Sequence, residues 1–273
     1  MKDKISLAGD LGSGKSTVSD ILIDRLGAEY YSTGAIVRSI AQKHGMSVVE
    51  LNVYMETHPE IDHEIDDGLK ALSDVDKLLI IDSRMAWHFT AGTFKVYLSV
   101  DAETSALRIM SANRVGEHSA TLEETVKQTK ARRESEKKRY LTQYGVDIKD
   151  LSNYSLIIDT SNATPEEVAD KLIEAFEDWK KDKDKKAAYV CPERLYYPDD
   201  SADGEKVGEL SARLESGEAV PEVTVIEKDG DFYLESGLES ALAYSFNMQT
   251  FIPVRLTDGD VDGKKYVKMK NSL

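Results

Sequence analysis

Short apolar runs alternate along the first part of the chain with longer stretches in which apolar residues recur every three or four positions. The runs Lys4–Gly9 (KISLAG), Glu29–Ser32, Lys77–Asp82 (KLLIID), Lys95–Val100 (KVYLSV) and Tyr154–Thr160 (YSLIIDT) read as strands. They are apolar on both faces and separated by helical patterns, which predicts a parallel sheet covered on both sides. Several helix starts are legible. Asp101 can cap a helix reaching about Ala112. Thr121 with Glu124 reads as a capping box for a charged helix reaching about Tyr140. Thr164 precedes Pro165, Glu166 and Glu167, and proline loses nothing at a first helical position. Ile61, Ile65, Leu69 and Leu72 recur at helical spacing, so a helical insert lies between the second and third strands.

The texture changes after Trp179. Residues 179–186 (WKKDKDKK) carry charge without apolar periodicity and read as a helix end or linker. Beyond Ala187 the pattern gives one helical stretch (Val207, Leu210, Leu214) and strands at Glu222–Ile226, Asp231–Glu235 and Phe251–Leu256. Asp229-Gly230 is a hairpin signal, and Asp262-Gly263 is a second candidate. The expected fold class is α/β. A three-layer α/β/α domain with a five-stranded parallel sheet spans residues 1–180, and a small α+β domain spans 187–273. A length of 273 residues makes two domains the natural expectation.

Composition narrows the function classes. The net charge of −15 argues against a nucleic-acid partner, because phosphate backbones repel an acidic surface. Cys191 is the only cysteine, so no intramolecular disulfide forms. The first ten residues lack the apolar stretch of a signal peptide, and no run approaches the roughly 20 apolar residues of a membrane span. These features predict a soluble, cytoplasmic protein without a membrane partner. His44, His58, His63, His88 and His118 show no zinc-ligand spacing.

The most specific signal is Gly9-Asp10-Leu11-Gly12-Ser13-Gly14-Lys15-Ser16-Thr17, which contains the full G-x-x-x-x-G-K-S pattern. An apolar strand precedes it and an amphipathic helix follows (Val18, Ile21, Leu22, Leu26), as a phosphate-binding loop requires. Glycines let backbone N–H groups converge on phosphate oxygens, Lys15 brings positive charge to the outer phosphates, and the Ser16 hydroxyl can ligate magnesium. The pattern assigns Gly9, Gly12, Ser13, Gly14, Lys15, Ser16 and Thr17 to ATP and Mg2+. The GTPase pattern N-K-x-D is absent, which favours a compact small-molecule kinase.

A resemblance sharpens the acceptor side. Tyr30-Tyr31-Ser32-Thr33-Gly34-Ala35-Ile36-Val37-Arg38, Asp82-Ser83-Arg84, Arg132-Arg133-Glu134-Ser135-Glu136 through Arg139-Tyr140, Tyr144-Gly145-Val146-Asp147-Ile148 and Ile158-Asp159-Thr160 resemble segments of archaeal-type cytidylate kinases. The resemblance covers about Lys4 to Phe176. It implies a P-loop kinase whose acceptor is a nucleoside monophosphate such as CMP, held by Thr33, Arg38 and Arg84. Arg132, Glu136 and Arg139 sit at i, i+4 and i+7 and share one helix face. The resemblance turns that face to the phosphates, with the acid orienting the arginines. Arginine forks suit a dianionic phosphate better than lysine does. Asp82, at a strand end, is a candidate for the magnesium shell or for polarising the acceptor. Lys15, Asp82, Arg132 and Arg139 are the catalytic candidates, and Arg114 resembles a lid arginine that meets ATP. Ser83 stands where the family pattern has glycine. Asp62 and Asp66, in the insert, are within reach of the acceptor base on this reading, but as helix-surface acids they are expected to be solvated.

From about Tyr189 the chain resembles the ParB/sulfiredoxin-like domain, through Val190-Cys191-Pro192, Gly217, Pro221, Gly230 with Tyr233, Gly237 and Ile252-Pro253-Val254. Phosphate-binding members carry arginines after the glycine, whereas here Gly237-Leu238-Glu239-Ser240 places an acid. That implies a structural or regulatory domain. Two rival readings stay open: a kinase for a different small acceptor, and an ATP-binding regulator whose C-terminal domain engages a protein partner or DNA, the acidic balance counting against DNA.

Overall fold

The computed structural model describes residues 3–111, 121–198, 201–261 and 265–268. The chain runs β1 (Lys4–Gly9), α1 (Lys15–Leu26), β2 (Glu29–Ser32), α2 (Thr33–Lys43), α3 (Val48–Met55), α4 (Pro59–Ala71), β3 (Leu79–Asp82), α5 (Ala86–Phe89), β4 (Thr93–Ser99), α6 (Ala102–Ser111), α7 (Leu122–Tyr144), β5 (Leu156–Asp159) and α8 (Pro165–Lys181). The strands β1 to β5 form at the five apolar runs and pair in parallel in the order β2-β3-β1-β4-β5. The described residues between 3 and 181 thus form an α/β unit built on a five-stranded parallel sheet.

Local chemistry sets the helix boundaries. Asp101 accepts from the amides of Glu103 and Thr104 at the start of α6. Thr121 caps α7 by accepting from the Glu124 amide, and Thr164 and Glu167 form a reciprocal capping box on α8. The helix α7 runs one turn past Tyr140 and stops at Gly145, whose φ of 66° a side chain disfavours. The insert holds two helices, α3 and α4. Ser32 caps α2 by accepting from the Ala35 amide at 3.3 Å.

Side chains of alternate strand residues fill the two outer layers. Ile5, Leu7, Val96, Leu98, Leu156 and Ile158 pack against Val18, Leu22, Leu172 and Phe176 of α1 and α8. The opposite face meets Trp87 and Tyr154, while Leu79 and Ile81 meet Leu51, Met55, Ile65 and Leu69 of the insert. Each fully buried side chain of this size contributes about 1.5–3 kcal/mol.

The remaining elements are β6 (Ala187–Val190), β7 (Leu195–Pro198), α9 (Gly204–Glu215), β8 (Val223–Lys228), β9 (Asp231–Ser236), α10 (Leu238–Phe246), β10 (Ile252–Thr257) and β11 (Tyr266–Lys268). Asp229 and Gly230 both take positive φ between β8 and β9, as the hairpin signal requires. The second hairpin candidate lies outside the described residues. The helix α10 follows Gly237 with no side-chain cap and therefore leaves no start signal in the sequence. The sheet does not stop at residue 181. The strand β6 pairs with β5 in parallel and with β10 antiparallel, giving one eleven-stranded sheet ordered β11-β7-β9-β8-β10-β6-β5-β4-β1-β3-β2. This pairing covers the backbone edge that the apolar strand β5 would otherwise leave open.

Candidate active site

The loop between β1 and α1 lies at the carboxyl ends of the parallel strands. A Cβ on Gly12, whose φ is +75°, would lie 2.6 Å from the Ser105 carbonyl oxygen, so the loop approaches α6 as only glycine allows. The Lys15 ammonium donates to the Gly9 carbonyl at 3.2 Å, the Asp10 carbonyl at 2.7 Å and the Ser13 hydroxyl at 3.3 Å. Burial, and next the Arg84 guanidinium, push its pKa down to about 7 against the opposing pull of Asp82, Asp10 and Glu136. An arriving phosphate favours the charged ammonium.

Asp10, the second loop residue, is an aspartate that sequence reasoning missed as a distinct functional group. Its carboxylate accepts from the Tyr97 hydroxyl at 2.9 Å, the Val100 amide at 3.1 Å and the Lys149 ammonium, with Arg133 3.6 Å away. Burial pushes the carboxyl up, but Lys149 and Arg133 outweigh it and hold the pKa at about 2. The loop is thereby pinned to β4 and to the segment after α7. No spacing rule could have paired Asp10 with a lysine so far along the chain.

Recesses lie to either side of the loop. The first is lined by Gly12–Ser16, Thr33, Arg38, Asp82, Arg84, Arg132, Glu136 and Arg139, among others. The structure therefore brings together candidates from the loop, α2, the end of β3 and α7. Glu136 is 5% exposed and sits between two arginines. Its Oε2 accepts from Arg84 Nε at 2.9 Å and its Oε1 from Arg132 Nε at 3.1 Å. Burial alone would raise the Glu136 pKa, yet Arg84 and Arg132 bring it to about 2. The shared carboxylate occupies the Nε edge of both guanidiniums and fixes their planes. Arg38 is exposed on the cleft wall.

Arg139 is nearly buried. It donates to Asn52 Oδ1 at 3.0 Å and to the Tyr140 hydroxyl at 3.3 Å, and its Nε lies 3.3 Å from Asp62 Oδ2. That last contact lacks hydrogen-bond geometry, so Arg139 Nε and Asp62 Oδ2 are both left without a hydrogen-bond partner. Asp62 and Asp66 are 3% and 5% exposed, which corrects the expectation of a solvated helix surface. The helix α4 turns them toward α7, where Asp62 faces Arg139 and Asp66 accepts from the Tyr144 hydroxyl. Asn52 and Tyr140 also line the cleft; nothing in the sequence singled out Asn52.

Asp82 accepts from the Tyr30 hydroxyl at 3.2 Å through Oδ2, and its carbonyl accepts from Thr33 at 3.3 Å. Ser83 is buried, with its hydroxyl accepting from the Met85 amide at 3.2 Å. Ser16 and Asp82 both line the first recess and offer hard oxygen donors, which fits Mg2+ completed by phosphate and water oxygens. Among the described residues no group of three or more His, Cys, Asp or Glu is placed to hold a metal by itself. Arg114 lies outside the described residues.

The second recess, on the other side of the loop, is lined by Gly12–Gly14, Thr17, Val18, Arg108, Ile109, Thr160, Ala163, Pro165 and Val168, among others. Arg108 spans it, donating to the Thr160 carbonyl at 2.7 Å and the Gly12 carbonyl at 3.5 Å. Its apolar walls suit a flat base better than a phosphate.

A loop that cradles one set of phosphates beside an arginine cleft for a second anion is the plan of a phosphate-loop kinase. At a finer level, a family model described as "Cytidylate kinase-like family" matches residues 4–162, more than half of the chain, and the chain belongs to that family. Relatives include a cytidylate kinase of Thermoplasma volcanium, 40% identical over 61% of this chain and 87% of its own. A cytidylate kinase of Sulfurisphaera tokodaii is 37% identical over 63% of this chain and 93% of its own. An S-adenosylmethionine-dependent nucleotide dehydratase of Lacinutrix mariniflava is 36% identical over 65% of this chain and 36% of its own. The family match ends before α8 and leaves the C-terminal segment outside it. No helix among the described residues is long and apolar enough to cross a membrane.

Proposed function

We propose that the protein transfers the terminal phosphoryl group of ATP to a nucleoside monophosphate, with CMP or dCMP as the acceptor. The observation that carries this reading is the arginine cleft: Arg84 and Arg132, locked on Glu136, face the phosphate loop across the first recess. The relatives named as cytidylate kinases support the choice of base.

Bound ATP supplies the phosphoryl group, and Mg2+, held by Ser16 and Asp82, would neutralise charge on its outer phosphates. An oxygen of the acceptor phosphate bonds to the terminal phosphorus as the bridge to the leaving diphosphate breaks, giving ADP and a nucleoside diphosphate. The protein's part is positioning and charge neutralisation. Lys15 exchanges its loop carbonyls for phosphate oxygens. Arg84 and Arg132, oriented through Nε by the shared Glu136 carboxylate, bring positive charge to the acceptor phosphate, joined by Arg38. Thr33 and Asp82 hold the strand ends that form the cleft floor. Arg139, fixed by Asn52 and Tyr140, presents donors suited to the acceptor oxygens of a pyrimidine edge. The recess around Arg108 takes the donor base.

A screen of nucleoside monophosphates with ADP release as readout tests the assignment. CMP or dCMP should stimulate turnover most strongly. If neither stimulates it while another acceptor does, the base assignment fails.

A further inference from the structure

The segment after residue 181 grips the kinase half at both ends of one loop. Residues 160–164 join β5 to α8 and form a wall of the second recess. Asp159, at the start of the loop, is fully buried. Its Oδ1 accepts from the Ser161 hydroxyl at 2.7 Å and the Ser161 amide at 3.3 Å, and its Oδ2 accepts from the Cys191 amide at 3.3 Å. Arg194, 2% exposed, places Nε 3.4 Å from Asp159 Oδ1. The rest of its guanidinium is anchored within the C-terminal segment, on Asp231 Oδ1 at 2.8 Å and the Gly230 carbonyl at 2.6 Å. Burial disfavours the Asp159 carboxylate, and Arg194 is the first group that opposes this. Ser161, held by Asp159, accepts from the Asp101 amide at 3.0 Å, while Arg108 of α6 donates to the Thr160 carbonyl. One buried cation from the C-terminal segment therefore fixes the corner on which Arg108 closes the recess.

The other end of the loop is held independently. Thr164 caps α8 through Glu167, whose Oε2 accepts from the Thr164 amide at 2.8 Å. Glu167 Oε1 accepts from the Thr250 hydroxyl at 2.6 Å, and Thr250 lies between α10 and β10. Thr160 and Ala163 of this loop line the recess, and these two ties add to the Thr160 amide and hydroxyl, which both donate to the Ser99 carbonyl.

We propose that the C-terminal segment positions the donor nucleotide: Arg194 and Thr250 clamp the two ends of the 160–164 loop and so set the affinity for ATP. The proposal rests on reading the second recess as the donor's base site. Arg194 and Thr250 are positioning residues; neither lines the recess.

Full-length protein with Arg194→Met, Arg194→Lys or Thr250→Val tests it. ATP dissociation constants come from equilibrium dialysis without acceptor, KM values for ATP and CMP from steady-state rates, and stability from thermal melting. Arg194→Met should weaken ATP in both binding and KM by about 3- to 30-fold, the range of mutational coupling through a packed network. Thr250→Val should act in the same direction by less, and KM for CMP should stay unchanged. Arg194→Lys, a single ammonium in place of a fork, should restore part of the loss. A lower melting temperature with unchanged ATP affinity overturns the proposal, as does a parallel rise in both KM values. If the Arg194 variants fail to fold, Thr250→Val decides alone, and unchanged ATP affinity there overturns the proposal. Wild-type ATP binding without acceptor-dependent ADP release would refute the kinase reading while the dialysis comparison still decides this one.

Discussion

Replacing Glu136 with glutamine tests the arginine clamp most directly. Glu136 is 5% exposed and pairs with both Arg84 and Arg132, whose side chains are 18% and 17% exposed. Glutamine keeps the shape but loses the charge, and its NH2 must face one of the guanidiniums, donor against donor. Holding the carboxyl at about 2 instead of the ordinary 4.5 corresponds to about 3 kcal/mol. Breaking a buried pair by removing one partner costs a similar about 3–5 kcal/mol. At about 2–4 °C per kcal/mol for a chain of this size, the melting temperature of Glu136→Gln should fall by about 6–12 °C at pH 7. Because the folded-state pKa is lowered, the Glu136 contribution is complete above 4.5 and vanishes as pH falls through about 2. The gap between wild type and variant should therefore narrow across that window. CMP should stabilise the variant more than the wild type, since its phosphate supplies the missing negative charge. Circular-dichroism melts at several pH values, with and without CMP, measure all three effects. A variant that melts with the wild type at pH 7 would show that the two arginines do not depend on Glu136.

Three further outcomes follow from the same geometry. Lys15→Ala should lower kcat by at least about 100-fold with the fold intact by circular dichroism, because a fixed charge at the transferring group is lost; near-normal turnover would sink the kinase reading. Asp62→Asn should raise KM for the acceptor by about tenfold, because it removes the carboxylate charge 3.3 Å from the buried Arg139 Nε, with KM for ATP unchanged in steady-state assays. Gly12→Ala should abolish ATP binding measured by dialysis, since the added Cβ would meet the Ser105 carbonyl at 2.6 Å in a backbone conformation with φ of +75°.

The phosphate loop, the five parallel strands and the helix caps were legible because each depends on residues adjacent in sequence. The motif from Gly9 to Thr17 carries its own turn, charge and hydroxyl. Ser16, Thr33, Arg38, Asp82, Arg84, Arg132, Glu136 and Arg139 were named from the sequence, and the structure gathers them around one recess. Asp62 and Asp66 were misread because helical spacing shows which residues share a face, not what that face meets. Asn52 and the Asp10–Lys149 contact left no signal at all.

The tetrapeptide Leu-Ile-Ile-Asp occurs twice, at Leu79–Asp82 and at Leu156–Asp159, and both copies form parallel strands, as the sequence alone determines. Their aspartates diverge. Asp82 ends at the cleft, partly exposed and bonded to Tyr30, among the groups that face the phosphate loop. Asp159 is sealed beneath the C-terminal segment, paired with Arg194 from 35 residues further on. An apolar run dictates a buried strand because burial of its side chains depends only on their own character. The state of the charge at its end depends on what packs over it, and only the tertiary structure decided that β6 and its neighbours would extend the sheet past β5.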